Sequence, residues 1–259
     1  MELNLQNKNA LVSGSTQGIG KSCAKQLAMQ GANITLLARN EDKLKRVLAS
    51  LDTQLRQNHS YICADFSHNE ILQEKLKQIS GPFHILINNT GGPEGGPIAS
   101  AEINAFENAF KMHLINNQIL VQKVVNGMKE AGFGRIVNIL STSVKAPIPG
   151  LGVSNTIRAA VANWSKTLSL ELGQHGITVN NVLPGFTDTQ RLKSIISKKA
   201  KNLGFSETEI ANQMKDSVPA KRFGLAHETA NAVAFLCSPA AAYINGVNLP
   251  VDGGRTASL

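Results

Sequence analysis

Cysteines, aromatic residues and long apolar runs are scarce in this sequence, and each scarcity excludes a class of protein. Three cysteines occur in 259 residues, an odd number without the spacing of metal ligands. We therefore expect Cys23, Cys63 and Cys237 to be buried thiols in a reducing cytoplasm. No apolar run approaches the roughly 20 residues of a membrane-spanning helix. The start shows no signal peptide, so we expect a cytoplasmic protein without a membrane partner.

Aromatic residues make up only 5% of the chain. Single-stranded nucleic acids are held largely by stacking on aromatic side chains, so we expect no nucleic-acid partner. The formal net charge is +8, which either serves solubility or favours anionic ligands such as dinucleotides, acyl-CoA or an acidic carrier protein. A short basic run at residues 198–201 is typical of a solvated helix face.

Apolar strands alternate with helical segments along the whole chain, which predicts a parallel sheet with helices on both faces. Several strands are apolar throughout, as expected when both faces of a sheet are covered. No linker or repeat divides the chain, so residues 1–259 are expected to form one doubly wound α/β domain. The expected strands are 9–12, 33–38, 60–64, 84–88, 135–140, 178–183 and 247–251. The expected helices include 21–30, 69–79, 103–130, 154–174 and 228–237, with a helical excursion at 189–216.

The turn after the first strand is rich in glycine. Gly14, Gly18 and Gly20 have the spacing G-x-x-x-G-x-G, which differs from the commoner G-x-G-x-x-G. Glycines let the backbone turn tightly and let a pyrophosphate approach, and the amides at the following helix start attract an anion. An ordinary glycine-rich turn is the alternative, but the position between a strand and a helix argues against it.

The end of the second strand indicates which dinucleotide is preferred. NAD-binding folds usually place an acid there for the ribose 2′-hydroxyl, whereas this chain has Ala38-Arg39-Asn40. Arg39 could hold a 2′-phosphate through two hydrogen bonds, so NADP(H) is favoured over NAD(H). The alternative is that Arg39 is a surface residue beside a helix cap at Asn40.

Further motifs, taken in order, resemble those of the short-chain dehydrogenase/reductase family, specifically its 3-oxoacyl-[acyl-carrier-protein] reductase-like members. The resemblance covers residues 5–254 and implies a Rossmann-type sheet of about seven strands. The motifs that carry it, besides the glycine-rich turn, are Ala64-Asp65-Phe66, Asn88-Asn89-Thr90-Gly91, Gly134-Arg135-Ile136-Val137-Asn138, Pro184-Gly185-Phe186-Thr187-Asp188-Thr189 and Val251-Asp252-Gly253-Gly254.

The resemblance also implies where the cofactor binds. Asp65 would contact the adenine, Asn89 and Gly91 would line the adenosine side, and residues 184–189 would contact the nicotinamide end. The full expected cofactor set is Gly14, Ser15, Thr16, Gln17, Gly18, Ile19, Gly20, Arg39, Asn40, Asp65, Phe66, Asn89, Thr90, Gly91, Gly92, Arg158, Pro184, Gly185, Phe186, Thr187 and Thr189.

The catalytic positions depart from the family, whose reduction uses Asn, Ser, Tyr and Lys. Ser141 lies where the family has Ser. Thirteen residues later Ser154 replaces the Tyr, and Arg158 replaces the Lys. The family Asn aligns best with His113.

These replacements alter the expected chemistry. A serine hydroxyl is a poor general acid, although Ser154 can hydrogen-bond a carbonyl oxygen. Arg158 stays charged and can hold ribose hydroxyls and stabilise an oxyanion. His113 and Lys145 are candidate proton donors. The alternatives are that both are structural or solvated and that water completes the transfer.

Two functional hypotheses follow. The first is an NADP(H)-dependent carbonyl reductase or alcohol dehydrogenase acting on a small molecule. A 3-oxoacyl thioester of acyl carrier protein or CoA, and hence fatty acid metabolism, is suggested by the resemblance alone. The second is a dinucleotide-binding sensor or scaffold without turnover, because the family Tyr and Lys are absent.

The resemblance also implies a dimer or tetramer, formed through the helices near 103–130 and 154–174. A stripe of Val161, Trp164, Leu168 and Leu172 lies on the second of these helices and could pack on the sheet instead. Residues 189–216 are expected to form a substrate lid. Within that lid, apolar side chains favour an acyl or ring-bearing substrate: Ile195, Ile196, Leu203 and Phe205.

Overall fold

A computed structural model describes residues 1–258, which form an α/β sandwich of three layers. The strands are β1 (Asn9–Ser13), β2 (Asn33–Ala38), β3 (Ser60–Cys63), β4 (Ile85–Asn88), β5 (Gly134–Ile139), β6 (Ile177–Pro184), β7 (Thr187–Asp188), β8 (Gly224–Leu225) and β9 (Asn248–Val251). The α-helices are α1 (Gly18–Met29), α2 (Glu41–Leu48), α3 (Asn69–Lys77), α4 (Ile103–Phe110), α5 (Asn116–Glu130), α6 (Gly152–Leu172), α7 (Gln190–Leu203), α8 (Glu207–Asp216) and α9 (Ala226–Cys237).

Seven strands form one parallel sheet in the order β3-β2-β1-β4-β5-β6-β9. This order confirms the predicted doubly wound fold. The chain reverses its direction of winding between β1 and β4, so the loops that follow these two strands diverge at the carboxyl edge of the sheet. In open α/β sheets this is where ligands bind.

Two apolar layers enclose the sheet. Leu11 and Val12 are consecutive on β1 and fully buried, yet they belong to opposite layers because successive side chains of a strand point to opposite faces. Val12 packs in the layer that contains residues of α1 and α9, and Leu11 packs in the layer of α3 and α5. Burial of each such side chain stabilises the fold by about 1.5–3 kcal/mol.

Some local expectations need correction. The helix expected at 103–130 is interrupted by one turn of π-helix at Lys111–Ile115, and the excursion at 189–216 consists of α7 and α8. Gly204 ends α7 with a φ of +72°, and a capping box of Ser206 and Glu209 begins α8. Cys63 is only half-buried, because β3 is the edge strand of the sheet; Cys23 and Cys237 are buried as expected.

The apolar stripe of α6 faces inward. Val161 and Leu172 are buried, and Trp164 and Leu168 pack against the buried clusters from partly covered positions. This stripe therefore packs on the sheet and α5, which was the alternative to a contact between subunits. Within residues 1–258, no helix combines the length and the apolar character needed to cross a bilayer.

A row of four asparagines runs across the sheet from β4 to the edge strand β9. Strand register places Asn138 beside both Asn88 and Asn181, and Asn181 beside Asn248. The Nδ2 of Asn88 donates to Asn138, that of Asn138 to Asn181, and that of Asn181 to Asn248, each at 2.8 Å. A shift of one residue in any strand would break this row, so the buried amides help to specify the register.

We expect Asn138→Ala to lower the free energy of unfolding by about 2–4 kcal/mol, because it leaves the Asn88 donor and the Asn181 acceptor buried without partners. Urea denaturation measures this change. Asn163→Ala is the control, since Asn163 is exposed on α6 and its side chain makes no hydrogen bond within residues 1–258. Equal midpoints for the two variants would contradict the role given to the row.

Candidate functional site

A cleft of about 530 Å³ opens at the carboxyl edge of the sheet, above the point where the winding reverses. Its volume lies in the range of small-molecule sites. One end is bordered by the glycine-rich turn and the tips of β2 and β3. The other is bordered by α6, the start of α7 and the loop after β6.

The glycine-rich turn is held against the loop that follows β4. Asn89 donates from Nδ2 to the Gly14 carbonyl at 3.2 Å, and Ser13 donates from Oγ to the Asn89 carbonyl at 3.0 Å. Gly14 has a φ of +58°, and a Cβ at this position would lie 2.5 Å from the Asn89 carbonyl oxygen. At Gly20 a Cβ would lie 2.5 Å from Asn89 Nδ2. Only glycine therefore allows this approach.

The turn presents the amino end of α1 to the cleft. The helix begins at Gly18, and its N-cap, Gln17, makes no capping hydrogen bond through its side chain. Gly18 and Ile19 line the cleft, so the first amides of α1 are available to a ligand. With the positive end of the helix dipole, they suit the diphosphate of a dinucleotide.

Two of the expected cofactor residues in this region support the turn instead of lining it. The Oγ of Ser15 donates to the Leu37 carbonyl at 3.4 Å, and Ser15 and Gly20 are buried outside the cleft. Their contribution to a ligand is therefore the conformation of the turn.

An ion pair lies at the tips of β2 and β3. The Nη1 of Arg39 is 3.8 Å from Oδ2 of Asp65, and the Arg39 side chain is 78% exposed. The pKa of Asp65 is lowered, mainly by a hydrogen bond from the Ser67 amide and also by the charge of Arg39. Asn40 does not line the cleft, because its Oδ1 accepts the Lys43 amide at 2.9 Å and caps α2. The expected contact of Asn40 with the cofactor stays a prediction.

The other expected cofactor residues border the same cleft. They are Gly14, Thr16, Gln17, Gly18, Ile19, Arg39, Asp65, Phe66, Asn89, Thr90, Gly91, Gly92, Arg158, Pro184, Gly185, Phe186, Thr187 and Thr189. The structure thus collects residues from six separate segments into one wall.

Three of the five candidate catalytic residues line the cleft. Ser154 and Arg158 lie one helical turn apart on α6, and Ser141 follows β5. The Oγ of Ser141 accepts the Ser143 amide at 3.1 Å, which leaves its own hydroxyl proton free to donate. Arg158 is buried, and its Nη1 donates to the Ile139 carbonyl at 3.0 Å.

His113 and Lys145 are not part of the cleft wall. His113 lies in the π-helical turn, where burial and, secondarily, the charge of Arg158 lower its pKa to about 3. The ring is therefore neutral at pH 7 and has no acidic proton of useful pKa to give. Lys145 follows the short 3₁₀ turn after Ser141 without reaching the cleft. Neither residue borders the cleft, and their expected role as proton donors stays a prediction.

Sequence reasoning overlooked the arginines at the far end. Arg191, in the first turn of α7, lines the cleft and donates from Nη2 to the Pro93 carbonyl at 3.0 Å. Arg255 also lines it, with its guanidinium 4.1 Å from the Phe186 ring centre. The sequence shows that Arg191 lies in the helical excursion, but whether its side chain faces the cleft depends on how α7 packs.

The expected apolar lining of the helical excursion is mostly absent. Ile195 borders the cleft, but Ile196 packs inside the small core between α7 and α8. Leu203 and Phe205 are 54% and 48% exposed on the outer surface. Three of these four residues therefore give no evidence for an acyl or ring-bearing substrate.

Comparison with known proteins gives a consistent picture. The family model described as enoyl-(acyl carrier protein) reductase matches residues 14–256. The NADPH-dependent reductase BacG of Bacillus subtilis is 30% identical, with 98% of this chain and 100% of that protein covered. The 3-oxoacyl-[acyl-carrier-protein] reductase FabG of Aquifex aeolicus is also 30% identical, with coverages of 98% and 99%.

Solved structures extend the comparison to the whole fold. The NADPH-dependent reductase YwfH, involved in bacilysin biosynthesis, superposes with a TM-score of 0.89 at 30% identity, covering 97% of this chain and 99% of that one. The L-sorbose reductase of Gluconobacter frateurii, solved with NADPH and L-sorbose, gives a TM-score of 0.92 at 29% identity, with both chains fully covered at 100%.

The buried His113 predicts a pH-dependent stability. Its pKa is about 3 in the folded chain against 6.5 for the free side chain, so the unfolded chain binds more protons between these values. The free energy of unfolding should therefore fall as the pH is lowered from 6.5 toward 3. We expect His113→Asn to lose less stability than the wild type between pH 7.5 and 4.5, as measured by chemical denaturation at each pH. A constant difference between the two proteins at both pH values would contradict this assignment.

Proposed function

The chain belongs to the short-chain dehydrogenase/reductase family, and from this premise we propose that it is an NADP(H)-dependent oxidoreductase that reduces the carbonyl group of a small molecule. The observation that carries the proposal is one continuous cleft. It joins a diphosphate-binding turn to two serine hydroxyls and a buried guanidinium. Sensor or scaffold activity would need no hydroxyls at the substrate end.

NADP(H) fits the residues of the cleft. The uncapped start of α1 suits the diphosphate, and Arg39, at the tip of β2, is free to bond a 2′-phosphate with the part of its guanidinium that faces solvent. BacG and the L-sorbose reductase are described as using or binding NADPH, which agrees with this preference. NADPH, when bound, supplies the hydride for the reduction.

The serines are proposed to bind the carbonyl oxygen. Ser141 and Ser154 both present hydroxyl groups to the cleft, and the Ser143 amide directs the Ser141 proton away from its own loop. Arg158 keeps a positive charge below them, since burial and the charge of Arg191 lower its pKa only to about 10. It therefore holds ribose hydroxyls and stabilises negative charge that develops on the oxygen.

Water is proposed as the source of the proton. Among residues 1–258, the ionisable side chains that line the cleft are those of Arg39, Asp65, Arg158, Arg191 and Arg255. None of these replaces the family Tyr as an acid near neutrality, so the hydroxyls of Ser141 and Ser154 would pass a proton from solvent.

A homo-oligomer in the cytoplasm is part of the proposal. Ile103 at the start of α4 is 72% exposed and Leu170 on α6 is 74% exposed. Large apolar side chains exposed on these two helices are consistent with a second copy covering them. The apolar stripe of α6 that begins at Val161 packs inward. Any contact between copies of the chain therefore uses other residues of α6.

Arg39→Ala should raise the Kd for NADPH about tenfold and leave the Kd for NADH nearly unchanged, because it removes a charge-assisted hydrogen bond to the 2′-phosphate. Titration calorimetry with both cofactors measures the difference. Arg46→Ala, an exposed arginine on α2 outside the cleft, is the charge-matched control. An equal loss of affinity for both cofactors would show that Arg39 does not act through the 2′-phosphate.

The reaction itself is tested by NADPH oxidation against ketones, quinones and 3-oxoacyl thioesters. We expect turnover by the wild type, a kcat that varies little between pH 6 and 9, and a loss of about 10–100-fold in kcat for Ser154→Ala with unchanged NADPH binding. Thr156→Ala, at an exposed position of the same helix, should keep wild-type kcat.

The alternative function makes the opposite prediction. A sensor or scaffold would bind NADPH tightly and oxidise it with none of these carbonyl compounds, even at high protein concentration. In that case the double variant Ser154→Tyr with Arg158→Lys would show whether the family residues alone create activity on this scaffold.

A further inference from the structure

The substrate end of the cleft carries positive charge without a negative partner. Arg158, Arg191 and Arg255 line this region, whereas Asp65, the one carboxylate on the wall among residues 1–258, is paired with Arg39 at the opposite end. No lining arginine at the substrate end forms an ion pair within the described part of the chain. The imbalance is therefore local to the place where a substrate would bind.

Arg158 is the most constrained of these cations. It is 8% exposed, and its one hydrogen bond in the described chain is the one from Nη1 to the Ile139 carbonyl. A guanidinium has five N–H donors, and burial of a charge is costly unless an opposite charge offsets it. The remaining donors border the cleft, where Nη2 would lie 3.4 Å from a Cβ at Gly92.

Arg191 bonds the same loop. Its Nη2 donates to the carbonyl of Pro93, the residue after Gly92, and Gly92 has the Nη2 of Arg158 beside the position of its missing side chain. The two guanidiniums therefore flank adjacent residues of one loop, and the charge of Arg191 contributes to the lowered pKa of Arg158. Two cations beside one loop repel each other, and an anion between them would relieve the repulsion.

The cofactor is expected to bring ribose hydroxyls to Arg158, but not an anion, and the five donors of a guanidinium can serve both partners. The expected place of the cofactor diphosphate is at Gly18 and Ile19, at the start of α1. Arg158 instead lies one turn from Ser154, beside the hydroxyls that are proposed to hold the reacting carbonyl. An anion between Arg158 and Arg191 would therefore be attached to the substrate, within a few bonds of its carbonyl carbon.

We propose that the substrate is an anionic carbonyl compound, a 2-oxo or 3-oxo acid, whose carboxylate binds between Arg158 and Arg191. This inference rests on the proposed reductase function and names its substrate class. The loss of the expected apolar lining at Leu203 and Phe205 agrees with it. Ile148, Leu151 and Ile195 remain to cover the rest of a small organic acid.

Matched pairs of substrates test the proposal. NADPH oxidation is measured with 4-methyl-2-oxopentanoate and acetoacetate and with their neutral methyl esters. The acids should have kcat/KM values about 30–100-fold higher than the esters, as expected for charge-assisted bidentate contacts. In Arg191→Gln, the KM for the acids should rise about tenfold or more, while values for the esters and the NADPH Kd stay unchanged.

Lys199→Gln is the control, since Lys199 is an exposed cation on the same helix that does not line the cleft. It should retain the preference for acids. Equal kcat/KM for acids and esters would overturn the proposal. A raised NADPH Kd in Arg191→Gln would also overturn it, because it would assign this cation to the cofactor.

A binding measurement separates this inference from the reductase function. Oxamate, a non-reducible analogue of a 2-oxo acid, should raise the melting temperature of the NADP⁺ complex, whereas neutral oxamide should not, and Arg191→Gln should abolish the difference. Stabilisation by oxamate without turnover of any carbonyl compound would refute the reductase function and retain the anion site. Turnover of neutral carbonyls without stabilisation by oxamate would refute the anion site and retain the reductase function.

Discussion

The close contact between the first βα turn and the loop after β4 determines the rest of the site. Asn89 and Ser13 bond across the point where the sheet reverses its winding, and Gly14 and Gly20 leave no room for a side chain between the two segments. Because this contact brings the start of α1 to the edge of the sheet, the free amides of that helix face the cleft. The other segments that line the cleft lie around this contact.

The substrate end differs from the family pattern in the kind of interaction that it offers. The family Tyr can transfer a proton, and the family Lys can lower the pKa of that Tyr. Ser154 instead provides a hydrogen bond, and Arg158 provides a permanent charge. His113, which aligns best with the family Asn, is kept neutral at pH 7 because burial lowers its pKa. The proposed reductase therefore acts through fixed electrostatics, and the proposed substrate binds through its charge.

Much of the fold was predictable because it depends on local patterns. Apolar strands that alternate with helices predicted the doubly wound sheet, and the bounds of β2 were correct to the residue. The π-helical turn at His113 was not predicted, because it depends on hydrogen bonds that a periodicity does not encode. The capping box at Ser206 was overlooked, although the spacing Ser206-x-x-Glu209 is a sequence signature of a helix start. The asparagine row likewise became visible only when the strand register aligned four distant residues.

The sequence by itself determined the glycine spacing, the presence of Arg39 at the tip of β2, and the presence of Ser154 and Arg158 where the resemblance predicts Tyr and Lys. These are facts of residue type at positions that local motifs identify. Only the tertiary structure decided that Asn40 caps a helix, that His113 and Lys145 lie outside the cleft, and that Arg158 and Arg191 lie at adjacent residues of one loop. The reason is that the direction of a side chain depends on how its helix or loop packs against segments that are remote in the chain.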